Sequence, residues 1–153
     1  MQKNLRKIRS GLIAKKRGDS FQNFFEIRCA QQGVTCVRIP DGCRQISAHK
    51  TMRVRTPFDY VIGHGNKIIF LDLKSTANKT FTKSMCTDHQ VLSLTKLSLH
   101  QDAGYLVYYS ESALLVYYKV AQLRELQFRE SLAITDGLVL GKIFEAKLGD
   151  MFI

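Results

Sequence analysis

The chain has 153 residues, of which 45% are hydrophobic and two are proline, a composition that indicates a folded domain and excludes a disordered chain. No apolar stretch approaches the roughly 20 residues of a membrane-spanning helix, so we expect no transmembrane segment. The 23 basic residues outnumber the 13 acidic ones and give a net charge of +10, which favours a polyanionic partner, either nucleic acid or an anionic membrane surface.

Much of the basic excess lies at the start of the chain, before the first acidic residue. We interpret residues 1–19 as a basic arm that binds DNA phosphates, with Lys15, Lys16 and Arg17 near its end. A solvated tail is one alternative, and an organellar targeting helix is another, because apolar residues recur there at helical spacing. Residues 20–153 show no repeat and no low-complexity linker, so we expect them to form a single domain.

The first predicted element of that domain is a helix that begins at the candidate N-caps Asp19 and Ser20 and ends at Gly33. A short strand over 34–39 and a turn follow, and then a polar, basic loop over 43–56. The remaining predicted elements, in chain order, are a strand over 58–62, a turn over 63–66, a strand that ends at Lys74, a loop over 76–87, a helix that follows the candidate N-cap Asp88 and stops at Gly104, strands over 105–109 and 114–118, and helices over 120–128 and 138–148. The first eight helices and strands, in the order α-β-β-β-α-β-β-α, predict an α/β fold with a central mixed β-sheet flanked by helices.

The segment Asp72-Leu73-Lys74, which closes an apolar run, is the strongest functional signal in the chain. Because the side chains of a strand alternate between its faces, Asp72 and Lys74 point to one face and Leu73 to the other. A carboxylate and an ammonium are costly at the end of a buried strand unless they are paired or bind a metal. Asp59, in the preceding strand of the predicted hairpin, adds a second carboxylate. An ordinary ion pair is the alternative interpretation, but the constellation resembles the active site of PD-(D/E)XK metal-dependent nucleases.

Phosphodiester hydrolysis requires an activated water and stabilisation of negative charge, and a divalent cation held by carboxylates supplies both. We expect Mg²⁺, with Mn²⁺ as an alternative, bound directly by Asp59, Asp72 and the carbonyl oxygen of Leu73. Glu26, on the first helix, is expected to hold a metal-bound water. Lys74 is expected to position the attacking water and to offset charge on the scissile phosphate. No small-molecule cofactor is expected.

Several segments around these residues resemble the RecU-type Holliday junction resolvases, and the early part of the chain is similar to the archaeal Hjc-type resolvases. The RecU-like segments are 56–60, 68–76, His89-Gln90, 104–107, 116–118 and 120–123, and the Hjc-like segments are 16–18, 25–26 and 37–39. The resemblance implies a PD-(D/E)XK nuclease-like core and a homodimer that resolves four-way DNA junctions by paired symmetric nicks. It implies catalytic roles for the residues at the matching motif positions, which are Glu26, Asp59, Asp72, Lys74 and Gln90.

The chain departs from the family pattern at two places. Asp72 stands where these enzymes usually carry a glutamate, so its side chain is one methylene shorter. The basic loop from Arg44 to Arg55 is shorter than the insertion that RecU-type proteins place between their first two strands. The specificity for a junction is therefore less firmly implied than the nuclease chemistry.

We expect the bound DNA to be contacted through its phosphates, without readout of its sequence. The residues predicted to make these contacts are Lys15, Lys16, Arg17, Arg44, Lys50, Arg53, Arg55, Lys79 and Lys83. Two alternatives remain at this point: the same chemistry on another DNA substrate in repair, restriction or transposon-end cleavage, and a non-catalytic DNA-binding protein with a decayed nuclease site. Four cysteines without metal-ligand spacing, and without a recognisable secretory signal, favour reduced thiols in the cytoplasm, that of a host cell if the protein is encoded by a virus.

Overall fold

The computed structural model describes the backbone of residues 2–47, 50–54 and 56–153, and the side chains of residues 13, 15–42, 47, 52 and 56–153. Its helices are α1 (Gln2–Gln31), α2 (Asp88–Leu97) and α3 (Val120–Arg124). Its strands are β1 (Thr35–Arg38), β2 (Gly42–Ser47), β3 (Lys50–Val54), β4 (Tyr60–His64), β5 (Lys67–Thr76), β6 (Thr80–Thr82), β7 (Asp102–Tyr109), β8 (Leu114–Lys119), β9 (Ser131–Ala133) and β10 (Leu138–Lys142).

Six of these strands form a central sheet in the order β1-β4-β5-β7-β8-β10. Strands β5 and β7 run parallel, because the connection between them crosses over through α2. The neighbouring strands in the rest of the described sheet pair antiparallel. The result is a mixed α/β fold with a central mixed sheet flanked by helices, which confirms the predicted fold class.

Helices cover both faces of the sheet and divide the core into two clusters. Phe21 and Phe25 of α1 pack with Leu71 and Leu73 of β5 on one face. Leu94 of α2 packs on the opposite face, together with the buried residues of β7, β8 and α3 on that side. Strand β5 therefore presents alternate side chains to the two clusters, as its sequence predicts.

The predicted start of the first helix is wrong. Helix α1 runs without interruption from Gln2 to Gln31, so Asp19 and Ser20 lie inside it and do not cap it. A single poor helix former costs only about 0.5–1 kcal/mol in a helix interior, less than the buried face of α1 contributes. The division into an arm over 1–19 and a domain over 20–153 stays a prediction.

Several predicted loops and ends also differ from the structure. The loop predicted over 43–56 contains the hairpin of β2 and β3, whose sequence lacks the apolar alternation typical of a half-buried strand. Within the loop predicted over 76–87, a short strand, β6, pairs with β9. The helix predicted over 120–128 ends at Arg124.

The last predicted helix, over 138–148, is wrong. Its first part is strand β10, which pairs with β8, and a 3-10 helix follows at Leu148–Phe152. A short apolar run fits a strand as well as a helix. Here Gly141 adopts a φ of 111° beside a bulge, a conformation that a helix does not contain.

The predicted limits of the second helix are also wrong. Thr87, not Asp88, is the N-cap of α2, and the helix ends at Leu97, well before Gly104. Gly104 instead lies in β7, where a Cβ atom would come within 2.2 Å of the Tyr118 carbonyl oxygen and 2.7 Å of the Tyr117 ring. The glycine is needed for close packing rather than for a helix end.

In the part of the chain that the structure describes, none of the helices is both long and apolar enough to cross a membrane.

Candidate active site

Asp72 and Lys74 project from the same face of β5 and form an ion pair. Their Oδ2 and Nζ atoms are 2.5 Å apart, the Asp72 side chain is fully buried, and 17% of the Lys74 side chain is exposed. Leu73 lies in the cluster on the other face. The sequence prediction that Asp72 and Lys74 share a face is confirmed.

Gln90, in the first turn of helix α2, contacts both members of this pair. Gln90 Nε2 donates to Asp72 Oδ1 at 2.8 Å, and Lys74 Nζ lies 3.4 Å from Gln90 Oε1. The orientation of Gln90 is fixed by a capping box, in which Thr87 N–H donates to Gln90 Oε1 and Gln90 N–H donates to Thr87 Oγ1. The start of α2 therefore holds both charged groups of the strand in place.

Asp59 joins the site from the segment that leads into β4. Its Oδ2 accepts a hydrogen bond of 2.8 Å from the backbone N–H of Leu73, and its own N–H donates to the Leu71 carbonyl. These two bonds fasten Asp59 beside the end of β5. The structure thus brings together Asp59, Leu73 and the Asp72–Lys74 pair.

Burial shifts the pKa of every charged group in this cluster. It raises the pKa of Asp72 to about 7, because desolvation outweighs the opposing attraction of Lys74, and the nearby Asp59 carboxylate adds to the rise. Burial also raises the pKa of Asp59, although the Leu73 N–H and Lys74 oppose it. For Lys74, burial is the largest single influence and favours the neutral amine, but the charge and hydrogen bond of Asp72, with smaller contributions from Cys86 and Asp59, raise the pKa of Lys74 overall. The two carboxylates destabilise each other and therefore favour an added cation.

Glu26, the acid predicted on the first helix, does not contact Asp59, Asp72 or Lys74 through any hydrogen bond or ion pair among the described residues. Its Oε1 accepts a hydrogen bond of 2.6 Å from the Tyr60 hydroxyl and lies 3.8 Å from Arg38 NH1. Among the described side chains, no three Asp, Glu, His or Cys residues are grouped so as to hold a metal ion. The three-carboxylate cluster expected from the sequence is therefore not assembled by Glu26 in this structure.

The turns of α1 that precede Glu26 face Asp59 instead. Asp19 and Gln22 line a polar cavity of about 440 Å³ together with Asp59 and Arg38. Arg38 NH2 donates to Gln22 Oε1 at 2.8 Å. Of these residues, the sequence predicted only Asp59. It gave Asp19 as a helix cap, and so did not place Asp19 and Gln22 as neighbours on one helical face.

The carboxylates of Asp59 and Asp72 have the chemistry of a site for a hard divalent cation. Asp72 Oδ2 is buried, and the Lys74 ammonium, 2.5 Å away, is its ion-pair and hydrogen-bond partner. Mg²⁺ and Mn²⁺ prefer carboxylate oxygens as ligands, and a cation near both acids would relieve the repulsion between Asp59 and Asp72. Asp59 and Asp72 therefore fit such a cation, and the Leu73 carbonyl stays a predicted third ligand.

The residues predicted to bind DNA lie in several different environments. Lys15, Lys16 and Lys79 are exposed and Arg17 is half-buried. The ammonium of Lys83 donates to the carbonyl of Leu126, so this lysine has a partner within the fold. Arg55 and the side chains of Arg44, Lys50 and Arg53 lie outside the described residues.

The sequence matches no known protein family and no curated protein. Among solved structures, the chain is similar to Hjc from Archaeoglobus fulgidus, described as a Holliday junction resolvase from an archaeal hyperthermophile. The TM-score is 0.58 and the sequence identity is 15%, and the alignment covers 80% of this chain and 95% of that chain. The likeness shows that the two proteins share a nuclease-like fold.

Proposed function

We propose that this protein is a metal-dependent, structure-selective DNA endonuclease that resolves four-way junctions by paired symmetric nicks. The observation that carries the proposal is the cluster of Asp59, Asp72, Lys74 and Gln90 on one face of the sheet. The fold shared with a protein described as a Holliday junction resolvase supports the assignment. The net charge of +10 favours DNA as the partner.

The carboxylates of Asp59 and Asp72 and the carbonyl of Leu73 would hold Mg²⁺ or Mn²⁺. When bound, the cation supplies a water that is acidic near neutral pH and neutralises charge on the phosphate. Glu26 stays a proposed water-mediated ligand, and Asp19 is a second candidate because it lines a cavity with Asp59. We expect no small-molecule cofactor.

The remaining residues of the cluster orient the reacting groups. The Lys74 ammonium carries the positive charge that positions the attacking water and the scissile phosphate. Gln90 contacts both Lys74 and Asp72, so it orients the carboxylate and gives the ammonium an acceptor within the site. Paired nicks across a junction require two such sites, and we therefore propose a homodimer. We also propose that it acts in the cytoplasm.

Two variants test this proposal on a four-way junction. Asp72→Asn and Lys74→Ala should each reduce the cleavage rate by at least about 100-fold, while the Kd for the junction changes little. Glu125→Gln is a matched control, because the Glu125 side chain is 75% exposed and its contact is Arg124 at 4.0 Å. Cleavage at the wild-type rate in either site variant would remove this cluster from the mechanism.

A further inference from the structure

The two oxygens of Asp72 have different partners, one fixed and one on a flexible side chain. Oδ1 already accepts the Gln90 amide at 2.8 Å, and Gln90 is itself fixed by two hydrogen bonds with Thr87. Rotating the carboxylate would break the bond to Gln90 in a fully buried place. Oδ2, whose partner is a flexible lysine, is therefore the oxygen that a cation at Asp72 would take.

Oδ2 is already in contact with a positive charge. The Lys74 ammonium is 2.5 Å from this buried atom and donates to it. A Mg²⁺ ligand oxygen lies roughly 2.0–2.1 Å from the metal, so a metal on Oδ2 would lie close to the ammonium in a place with little access to water. Their like charges would also repel each other at this distance.

Lys74 has an alternative position near the site. Part of its side chain, 17%, is exposed to solvent, and its Nζ is already 3.4 Å from Gln90 Oε1. A small rotation could keep the ammonium near this amide oxygen while releasing Asp72. Lysine is suited to such a change because its charge ends a flexible four-carbon stem.

We propose that Lys74 is the internal counter-ion of the metal-free site, and that a divalent cation binds Asp72 only by displacing the Lys74 ammonium from Oδ2. This inference rests on the proposed function, since it concerns the same site. It orders the events at the site: the ammonium becomes available to a phosphate only after the cation has been loaded. The residue proposed to act on the substrate therefore also limits the affinity for the metal.

The test is Mn²⁺ binding without DNA, measured at pH 8.5 by the electron paramagnetic resonance signal of free Mn²⁺. Lys74→Met removes the competing charge and keeps the apolar stem, so the Kd for Mn²⁺ should fall about tenfold. Lys96→Met is the control for net charge, because Lys96 is exposed in the last turn of α2, and its Kd should stay within about twofold of wild type. Asp72→Asn should weaken binding at least about tenfold.

Lys74→Gln repeats the measurement with a polar, neutral side chain if the methionine variant does not fold. Unchanged or weaker Mn²⁺ binding in the folded Lys74 variants, together with weak binding in Asp72→Asn, would overturn the exchange and leave the proposed nuclease intact. Failure of Mn²⁺ to bind to any of the proteins would overturn both. Tighter binding in the Lys74 variants, without cleavage of any DNA by the wild type, would support the exchange and reject the nuclease.

Discussion

The amide of Gln90 lies 2.8 Å from the carboxylate of Asp72 and joins the first turn of α2 to the middle of the sheet. The contact depends on the parallel crossover, which returns the chain from β5 through α2 to β7. It explains how an acid that is fully buried keeps a fixed orientation. The geometry of the candidate site is therefore a property of the fold and not only of the Asp72-Leu73-Lys74 segment.

Replacing Gln90 should reduce catalysis without reducing DNA binding. In Gln90→Ala, Asp72 loses a hydrogen bond and Lys74 loses a neighbour, and we expect kcat on a cleaved DNA to fall about 10–100-fold, as for other residues that orient metal ligands. The Kd for the same DNA should not change. His89→Ala is the matched control, since His89 is the exposed neighbour in the same turn. A loss of DNA binding equal to the loss of kcat would contradict the positioning role.

Conservative substitutions can distinguish the roles of the two acidic residues of α1, Asp19 and Glu26. Asp19→Asn should reduce metal-dependent cleavage about tenfold or more, because Asp19 lines the cavity that contains Asp59. Glu26→Gln should have the smaller effect on cleavage, because the Glu26 carboxylate is bonded to the Tyr60 hydroxyl. Cleavage rates at several Mg²⁺ concentrations measure both effects. The reverse ranking would show that Glu26 acts at the metal site as its sequence position suggests.

The stability of the metal-free protein should depend on pH through Asp72. The pKa of Asp72 is raised from 3.8 to about 7 in the folded state, so between these values the folded chain holds a proton that the unfolded chain releases. The stabilisation from this group is complete below pH 4 and is lost as the pH rises through 7, at no more than about 1.4 kcal/mol per pH unit.

Urea unfolding in EDTA at pH 5 and pH 8 measures this dependence. Between pH 5 and pH 8, the free energy of unfolding should fall less in Asp72→Asn than in the wild type. In Glu125→Gln it should fall as much as in the wild type. Parallel pH dependence in wild type and Asp72→Asn would mean that Asp72 titrates normally in the fold.

Gly104 should tolerate no side chain. In Gly104→Ala, the new Cβ would come within 2.2 Å of the Tyr118 carbonyl oxygen, and neither the backbone nor the Tyr117 ring can move without disturbing the β7–β8 pairing. We expect a loss of about 1–3 kcal/mol in the free energy of unfolding. Gly18→Ala is the matched control, since Gly18 lies in α1 with no atom within 4 Å of the added Cβ, and alanine there should stabilise by up to about 1 kcal/mol. Equal stability of the two variants would refute the packing argument.

The sequence predicted the elements with strong periodicity and missed those without it. The apolar run of β5 predicts a strand with one filled face, and the continuous aromatic and branched runs of β7 and β8 predict buried strands. The hairpin of β2 and β3 was missed because its residues are mostly polar. Strand β10 was taken for a helix because an apolar run of three residues fits both, and only its pairing with β8 decides the structure.

The site was predictable where its residues are close in sequence. Asp72 and Lys74 follow from the strand period alone, and Gln90 was found through the resemblance. The contributions of Asp19 and Gln22 depend on where α1 begins and on how it packs across the sheet, which local propensity does not determine. Arg38 was missed because its role depends on the contact with Gln22, sixteen residues away.

The most direct test of the account is cleavage of an end-labelled four-way junction and of a linear duplex with the same sequence, each with Mg²⁺, Mn²⁺ or EDTA. We predict paired nicks in the junction with either metal, none with EDTA, and none in the duplex. Cleavage of both DNAs would retain the chemistry and contradict the junction specificity. Binding of the junction without cleavage under any metal would contradict the central claim that this fold carries a working nuclease site.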